Sequence, residues 1–396
     1  MWEARSQRRP RKGLITEEDR RAERASQLFI RRGGGRTAGG MTPSSRRHAV
    51  QSQAPSPLQF AMTKNPIPKE RYLEIIQQFR DCPIAVYGDL VADEFVYGEI
   101  SRVSREAPVL ILNYRESFIV PGGAANAINN LHALGARPVP LGILGSDDAG
   151  SAVRQQFSRS KISLSRVRAV KGYMTPTKSR YSAGSAHSAR QQVLRMDRGC
   201  AFVHSTDSAR ATRNELAGLV KECRGLLISD YGFGFVSPEV VARAVPRKKS
   251  LPVTLDSRFS LLQHRGVTAC TPNESEVEQA LGIKIGSNTR KLEEAGVELV
   301  KQLQVEAVLI TRGRDGMALF VSGEKPVHIP IFGTDEIADV TGAGDTVIAV
   351  FTLALAVGAS FVEAARLSNY AGGIVVMKRG TATLSAEELR QAVIQD

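Results

Sequence analysis

The octapeptide Asp339-Val-Thr-Gly-Ala-Gly-Asp-Thr346 runs without a break into the apolar stretch 347–356. That junction constrains the chain more than any other feature. A glycine-rich turn becomes a helix N-terminus at Gly342, Ala343 and Gly344, where four backbone N–H groups lack intrahelical acceptors and the positive end of the helix dipole lies. Such an end attracts anions. Asp345 is then out of place, because a carboxylate in an anion cradle repels a phosphate, unless it takes the proton from a nucleophile that attacks that phosphate. The combination points to phosphoryl transfer to an alcohol. The same residues also read as a turn with Asp339 or Asp345 as a capping carboxylate, and the octapeptide alone leaves both readings open.

A helix apolar on every side needs a large core around it. With 396 residues, 42% apolar and 23% charged, the chain has room for one large α/β domain or two ordinary ones. Its net charge of +13 invites a nucleic-acid reading, so the location of the charge matters. Residues 1–65 hold 14 Lys and Arg against 5 Asp and Glu, whereas the rest holds 39 against 35. The basicity belongs to the tail, and the remainder is nearly balanced. Rich in Arg, Gly, Ser, Pro and Gln, the tail is expected to be disordered, either as an extension without function or as an Arg/Gly-rich RNA-binding segment. Nucleic acid is not the expected main partner. Cys82, Cys200, Cys223 and Cys270 form no CxxC pair and no His-associated set, so neither a zinc site nor a disulfide framework is indicated, and a cytoplasmic location fits. The apolar run 347–359 is too short to span a bilayer, and the N-terminus lacks the apolar segment of a signal peptide.

From residue 66 onward, helical and strand patterns alternate, as in an α/β domain. Helical spacing over 68–80 leads into the strand Ile84-Ala-Val-Tyr87, whose continuous apolar character suits burial on both faces of a parallel sheet. Asp89 and Asp93 follow its carboxyl end, the usual ligand crevice of an open α/β sheet. Residues 95–120 read as extended segments with turns at Gly98 and around Glu106-Ala-Pro108. Pro121-Gly-Gly-Ala-Ala-Asn126 then opens a small-residue helix. Gly122 and Gly123 allow close backbone approach, and Asn126 supplies an amide that both donates and accepts, although a glycine turn with a capping Asn accounts for the same residues. Residues 175–197 interrupt the alternation with two further extended runs. After 226, each buried-strand pattern again ends on polar or glycine residues, so functional groups collect along one edge of the sheet. Asn273-Glu-Ser-Glu276 and Thr311-Arg-Gly-Arg-Asp-Gly316 are two such ends; the first also reads as a capping box.

Together these motifs resemble the ribokinase (PfkB) family of sugar kinases. The resemblance covers roughly residues 82–396. In Ser101-Arg-Val-Ser-Arg-Glu-Ala-Pro108, Pro121-Gly-Gly-Ala-Ala-Asn126, Ser229-Asp-Tyr-Gly-Phe-Gly234 and the octapeptide, the chain is similar to the D-glycero-β-D-manno-heptose 7-phosphate kinases. Ala124 stands where ribose-specific relatives carry a Lys within the GG…N signature, which argues against ribokinase itself.

The resemblance implies a three-layer α/β/α sandwich with eight or nine strands and a small β lid formed near 95–120 and 175–197. It implies a homodimer through that lid, ATP with Mg²⁺, and a monovalent cation as an option. By the same resemblance Asp345 is the catalytic base, and Gly342, Ala343 and Gly344 stabilise the transferring phosphoryl group. Asp93, Gly122, Gly123 and Asn126 then hold the sugar beside Asp89. Asn273, Glu276, Thr311, Arg312, Gly313, Gly316 and Asn369 line the nucleotide, with Glu276 near the metal. Arg102, Arg105, Lys178 and Arg180 are the cationic candidates for a phosphate already on the substrate. The nucleotidyltransferase part fused to many such kinases is not expected within these residues.

Overall fold

The computed structural model describes residues 67–184, 191–246, 251–333 and 339–396; the tail 1–65, and what was expected of it, lies outside them. The first half runs α1 (Lys69–Gln77), β1 (Pro83–Gly88), β2 (Leu90–Val103), β3 (Leu110–Gly123), α2 (Ala124–Ala133), β4 (Arg137–Gly145), α3 (Asp148–Arg159), β5 (Val167–Val170), β6 (Thr177–Gly184) and β7 (Gln191–Arg198). Then come α4 (Thr206–Glu222), β8 (Gly225–Asp230), α5 (Pro238–Ala244), β9 (Val253–Ser257), β10 (Ala269–Cys270), α6 (Glu274–Leu281) and α7 (Thr289–Leu303). The chain ends with β11 (Ala307–Thr311), β12 (Met317–Val321), β13 (Val327–Ile329), α8 (Ala343–Ala356), α9 (Phe361–Val375) and α10 (Ala386–Gln395).

Nine strands form the main sheet in the order β13-β12-β11-β10-β9-β8-β1-β4-β5. From β11 to β5 all pairs are parallel, and β12 and β13 extend one edge antiparallel. Strand alternation sends successive side chains into two separate cores. Ile84, Val86, Leu227 and Leu309 join the core covered by α1, α2, α8 and α9. Ala85, Tyr87, Leu226, Ile228 and Val308 join the one under α4, α5 and α7. The result is a three-layer α/β/α sandwich of the ribokinase-like kind. α8 is buried along nearly its whole length, which explains why its sequence is apolar on every side. Chain order reverses at β1, flanked by β8 and β4, and a crevice opens outside the carboxyl ends of strands at such a switch point. Among the described residues no helix is long and apolar enough to cross a membrane.

The lid is a second sheet of order β3-β2-β6-β7. Gly98, expected to make a turn, instead stays within β2, and the register slips between Tyr97 and Gly98. The extra residue of that slip is Arg115 on β3, so β2 passes Gly98 unbroken and runs on to Val103. Past that extra residue Leu110 and Tyr114 share a face with Ile100 and Val103, whereas Phe118 stacks on Phe95 on the other face; Leu110, Tyr114 and Phe118 are all exposed.

Candidate active site

α8 begins at Gly342, which caps it with a left-handed φ of 78° and no side-chain cap. A Cβ there would lie 2.5 Å from Asn126 Nδ2, so only glycine fits. The Ala343 N–H donates to Val340 O (3.3 Å) and the Thr346 N–H to Gly342 O (3.1 Å). The amides of Gly342, Gly344 and Asp345 have no protein acceptor among the described residues, so three open donors stand here rather than four. At Gly344 an added Cβ would meet no heavy atom within 4 Å. Two of these free N–H groups, those of Gly344 and Asp345, lie in the first turn of the helix beside open space, as an anion site requires. Asp339 ties the turn down, accepting from Thr341 N–H (2.9 Å) and Gly380 N–H (3.0 Å).

Asp345 is 3% exposed. The Tyr231 hydroxyl donates to its Oδ1 at 2.7 Å, and Asn126 Nδ2 donates to its Oδ2 at 3.0 Å. Burial pushes its pKa up to about 6, against the pull of Asn126, Tyr231 and Arg258, while Asp93 pushes the same way as burial. Such a carboxylate is ionised at neutral pH yet basic enough to take a proton in a transition state. Asn126 also donates to Gly342 O (3.2 Å), and its Oδ1 accepts from Asn130 Nδ2 (3.1 Å). Both ends of the Asn126 amide are thus engaged, and it aims the carboxylate of Asp345.

Asp89 lies at the end of β1, and its Oδ2 accepts from the backbone N–H groups of Tyr231 (2.9 Å) and Phe233 (3.0 Å). It braces the loop after β8, and burial lifts its pKa to about 6. Asp93, four residues on, faces the crevice. It pairs with Arg180 Nη1 at 2.5 Å and accepts from Thr381 Oγ1 at 3.0 Å. A Cβ on Gly122 would fall 2.5 Å from that carboxylate, so this glycine makes room for Asp93. Gly123, at φ 55°, passes the chain from β3 into α2. Lys178 lies 4.3 Å from the centroid of the Tyr231 ring. Burial, with Arg258 adding to it, lowers its pKa to about 8.

Arg102 and Arg105 do not join this group. Both are exposed at the far end of the β2–β3 hairpin. Arg102 lies nine residues beyond Asp93 along β2, roughly 30 Å at about 3.3 Å per residue. Within one chain they cannot share a ligand with Asp93. β2, unbroken at Gly98, carries them away.

On the other side of the crevice, Asn273 caps α6. Its side chain accepts from Glu276 N–H and Glu276 accepts from Asn273 N–H, both at 2.9 Å, a complete capping box. Thr311 N–H donates to Pro272 O (2.9 Å), which sets the Thr311–Gly316 turn beside that cap. Gly313 and Gly316 both have positive φ. Arg312 is already paired with Glu274 at 2.7 Å, so it holds the turn to α6 instead of standing free for phosphate. Asn369 donates to Pro330 O (2.8 Å), a packing contact between α9 and the segment after β13. Asp256 and Glu276 both have raised pKa values, chiefly through burial, and Glu276 adds to the shift at Asp256. The buried carboxyl of Asp256 and the half-buried one of Glu276, in one field, form an oxygen donor set that fits a hard divalent cation, and Mg²⁺ needs only one or two carboxylates when substrate phosphates and waters complete its shell.

Residues 240–389 match the description pfkB family carbohydrate kinase. The bifunctional protein HldE of Desulfatibacillum aliphaticivorans is 36% identical over 324 residues, covering 81% of this chain and 65% of that protein. HldE of Alcanivorax borkumensis is 38% identical over 322 residues, with the same two shares. The chain contains a pfkB-family carbohydrate kinase domain. It is similar to these two relatives over about 81% of its own length and spans about 65% of theirs. Arabidopsis thaliana ribokinase, solved with ribose and ATP, superposes with a TM-score of 0.60 at 22% identity over 80% of this chain and 98% of its own. Phosphofructokinase-2 from Escherichia coli, solved in complex with potassium, gives 0.63 at 17% identity over 79% and 98%. At such identities these two share the fold.

Within the kinase domain, Tyr231, Asn130, Thr381, Asp256 and Arg258 belong to the site but escape notice as single residues. Asn130 carries a faint signal, an amide one helical turn after Asn126. Tyr231 lies in a motif that follows a buried strand, yet nothing in its spacing points to Asp345.

Proposed function

We propose that the kinase domain transfers the γ-phosphoryl group of ATP to the 1-hydroxyl of D-glycero-D-manno-heptose 7-phosphate, giving the 1,7-bisphosphate for ADP-heptose and lipopolysaccharide core synthesis. The observation that carries this reading is the setting of Asp345: a buried, doubly hydrogen-bonded carboxylate beside two open amides at a helix N-terminus. Asp345 takes the hydroxyl proton, the sugar oxygen forms its bond to the γ-phosphorus, and the bond to the ADP oxygen breaks. The amides of Gly344 and Asp345 meet the charge that develops on the phosphoryl oxygens. Asp93 holds sugar hydroxyls, and Lys178 and Arg180 take the 7-phosphate. Glu276, with Asp256, would hold Mg²⁺, which neutralises charge on the nucleotide phosphates when bound. The heptose assignment rests on the resemblance of the four motifs and on the likeness to HldE over the same residues. Four free thiols suit a reducing cytoplasm.

The test is a panel with ATP and Mg²⁺: heptose 7-phosphate, sedoheptulose 7-phosphate, fructose 6-phosphate and ribose. The heptose is expected to give the highest kcat/KM, with the bisphosphate as product by mass spectrometry. Asp345→Asn is expected to lower kcat by about 10²–10⁴-fold. Preference for another sugar would overturn the substrate assignment, and near-normal turnover in the variant would overturn the base.

A further inference from the structure

We infer that Tyr231 is the positioning residue that keeps Asp345 ionised and aimed, and that the loop after β8 is braced to hold it there. This rests on the reading of Asp345 as the base. Asn126 gives its two N–H groups to Asp345 Oδ2 and Gly342 O, and the Tyr231 hydroxyl gives its single proton to Oδ1 at 2.7 Å, the shorter of the two bonds to the carboxylate. Burial and the neighbouring charge of Asp345 push the phenol pKa far up, so the group remains a donor throughout the working pH range. Its ring is capped by two cations, with Lys178 Nζ 4.3 Å and Arg258 Cζ 4.6 Å from the centroid.

The bracing is unusually complete for a loop. Asp89 from the end of β1 accepts from the N–H groups of Tyr231 and Phe233. Asp230 accepts from Gly232 N–H at 2.9 Å and Ser257 Oγ at 2.8 Å. Gly232 and Gly234 take φ values of 78° and 84°, which side chains rarely adopt. The loop is thus fixed at the very residue that meets the base.

The charged groups around Asp345 are Asp93 on β2, Lys178 on β6, Asp256 on β9 and Arg258 just beyond it. Two are anionic and two cationic, so their effects oppose one another. What remains is burial, which favours the acid, against two hydrogen-bond donors, which favour the carboxylate. Removing the Tyr231 donor should tip that balance.

The experiment reads the Asp345 carboxyl directly, by carbon-13 NMR of protein labelled at its aspartate carboxyls, with the signal identified by its loss in Asp345→Asn. Tyr231→Phe is expected to raise the titration midpoint by about one to two pH units, the size of a lost hydrogen bond to a charged group. The acid limb of kcat with heptose 7-phosphate and MgATP should move by the same amount, with turnover at pH 6 down about tenfold and recovery toward wild type in alkali. Fluorotyrosine at position 231, a stronger donor, should move the midpoint the other way, and it tests the inference even if the phenylalanine variant folds poorly. An unmoved midpoint in both proteins overturns it and leaves Tyr231 a packing residue. If Asp345→Asn keeps its turnover, the base assignment fails separately, while the midpoint still reports what Tyr231 does to that carboxyl.

Discussion

At the scale of single residues, Gly342 and Gly344 look equivalent in the sequence and are not. Gly342 is required by the backbone: its φ is positive and a Cβ would strike Asn126. Gly344 sits inside the first turn of α8, where a Cβ would meet nothing. A methyl group there should help the helix by about 0.5–1 kcal/mol, yet it would project toward the space beside the free amide, where the phosphoryl group is proposed to lie. Gly344→Ala is therefore expected to melt no lower than wild type while kcat/KM falls by about 10²-fold or more, the cost of displacing a reacting group by about 1 Å. Gly342→Ala should lose both stability and activity. Thermal melts beside steady-state kinetics check the pair; an active Gly344→Ala enzyme would move the anion site elsewhere. Asp345 was legible because its neighbours announce a helix end and it violates what such an end prefers. Tyr231 was not, because it reaches Asp345 across 114 residues of chain, and no local pattern encodes a contact made by the closing of the fold.

At the scale of elements, β1, β8, β9 and β11 were legible because strands buried on both faces need unbroken apolar runs. β2 was misread at Gly98, since glycine occurs in turns and inside strands alike, and only the partner strand decides between them. The unbroken strand carries Arg102 away from Asp93. β6 instead delivers Lys178 and Arg180, opposite Asp93 and Phe95 in register. Lys178→Ala and Arg180→Ala are expected to raise KM for a phosphorylated sugar by about 10–100-fold, as for the loss of a hydrogen bond between charged groups, with KM for ATP changed far less. Arg180→Ala carries an added cost, because it leaves Asp93 buried with only Thr381 as partner. Equal rises in both KM values would place these cations on the nucleotide, and unchanged values would exclude a phosphate site on β6.

At the scale of the whole molecule, the alternation of helix and strand gave away the sandwich, because each layer must bury one face of the next. The assembly of two chains is less directly encoded. Ile100, Val103, Leu110 and Tyr114 leave one face at the end of the β2–β3 hairpin apolar and exposed, and a continuous apolar patch on a lone chain marks an interaction surface. β3 is also an edge strand of the lid, with open hydrogen-bonding groups along 14 residues. A second copy presenting the same surface would cover both, and a symmetric pairing closes on itself and does not grow into fibres. We therefore predict a homodimer joined through the lids. Sedimentation of the wild-type protein should give about twice the chain mass of 42.9 kDa. The double variant Leu110→Glu, Tyr114→Glu sets four like charges across such a pairing without touching the sandwich cores, so it should sediment as a folded monomer with an unchanged far-ultraviolet spectrum. If the wild type is itself a monomer, the apolar face has another purpose; if the double variant remains a dimer, the two chains meet through some other surface.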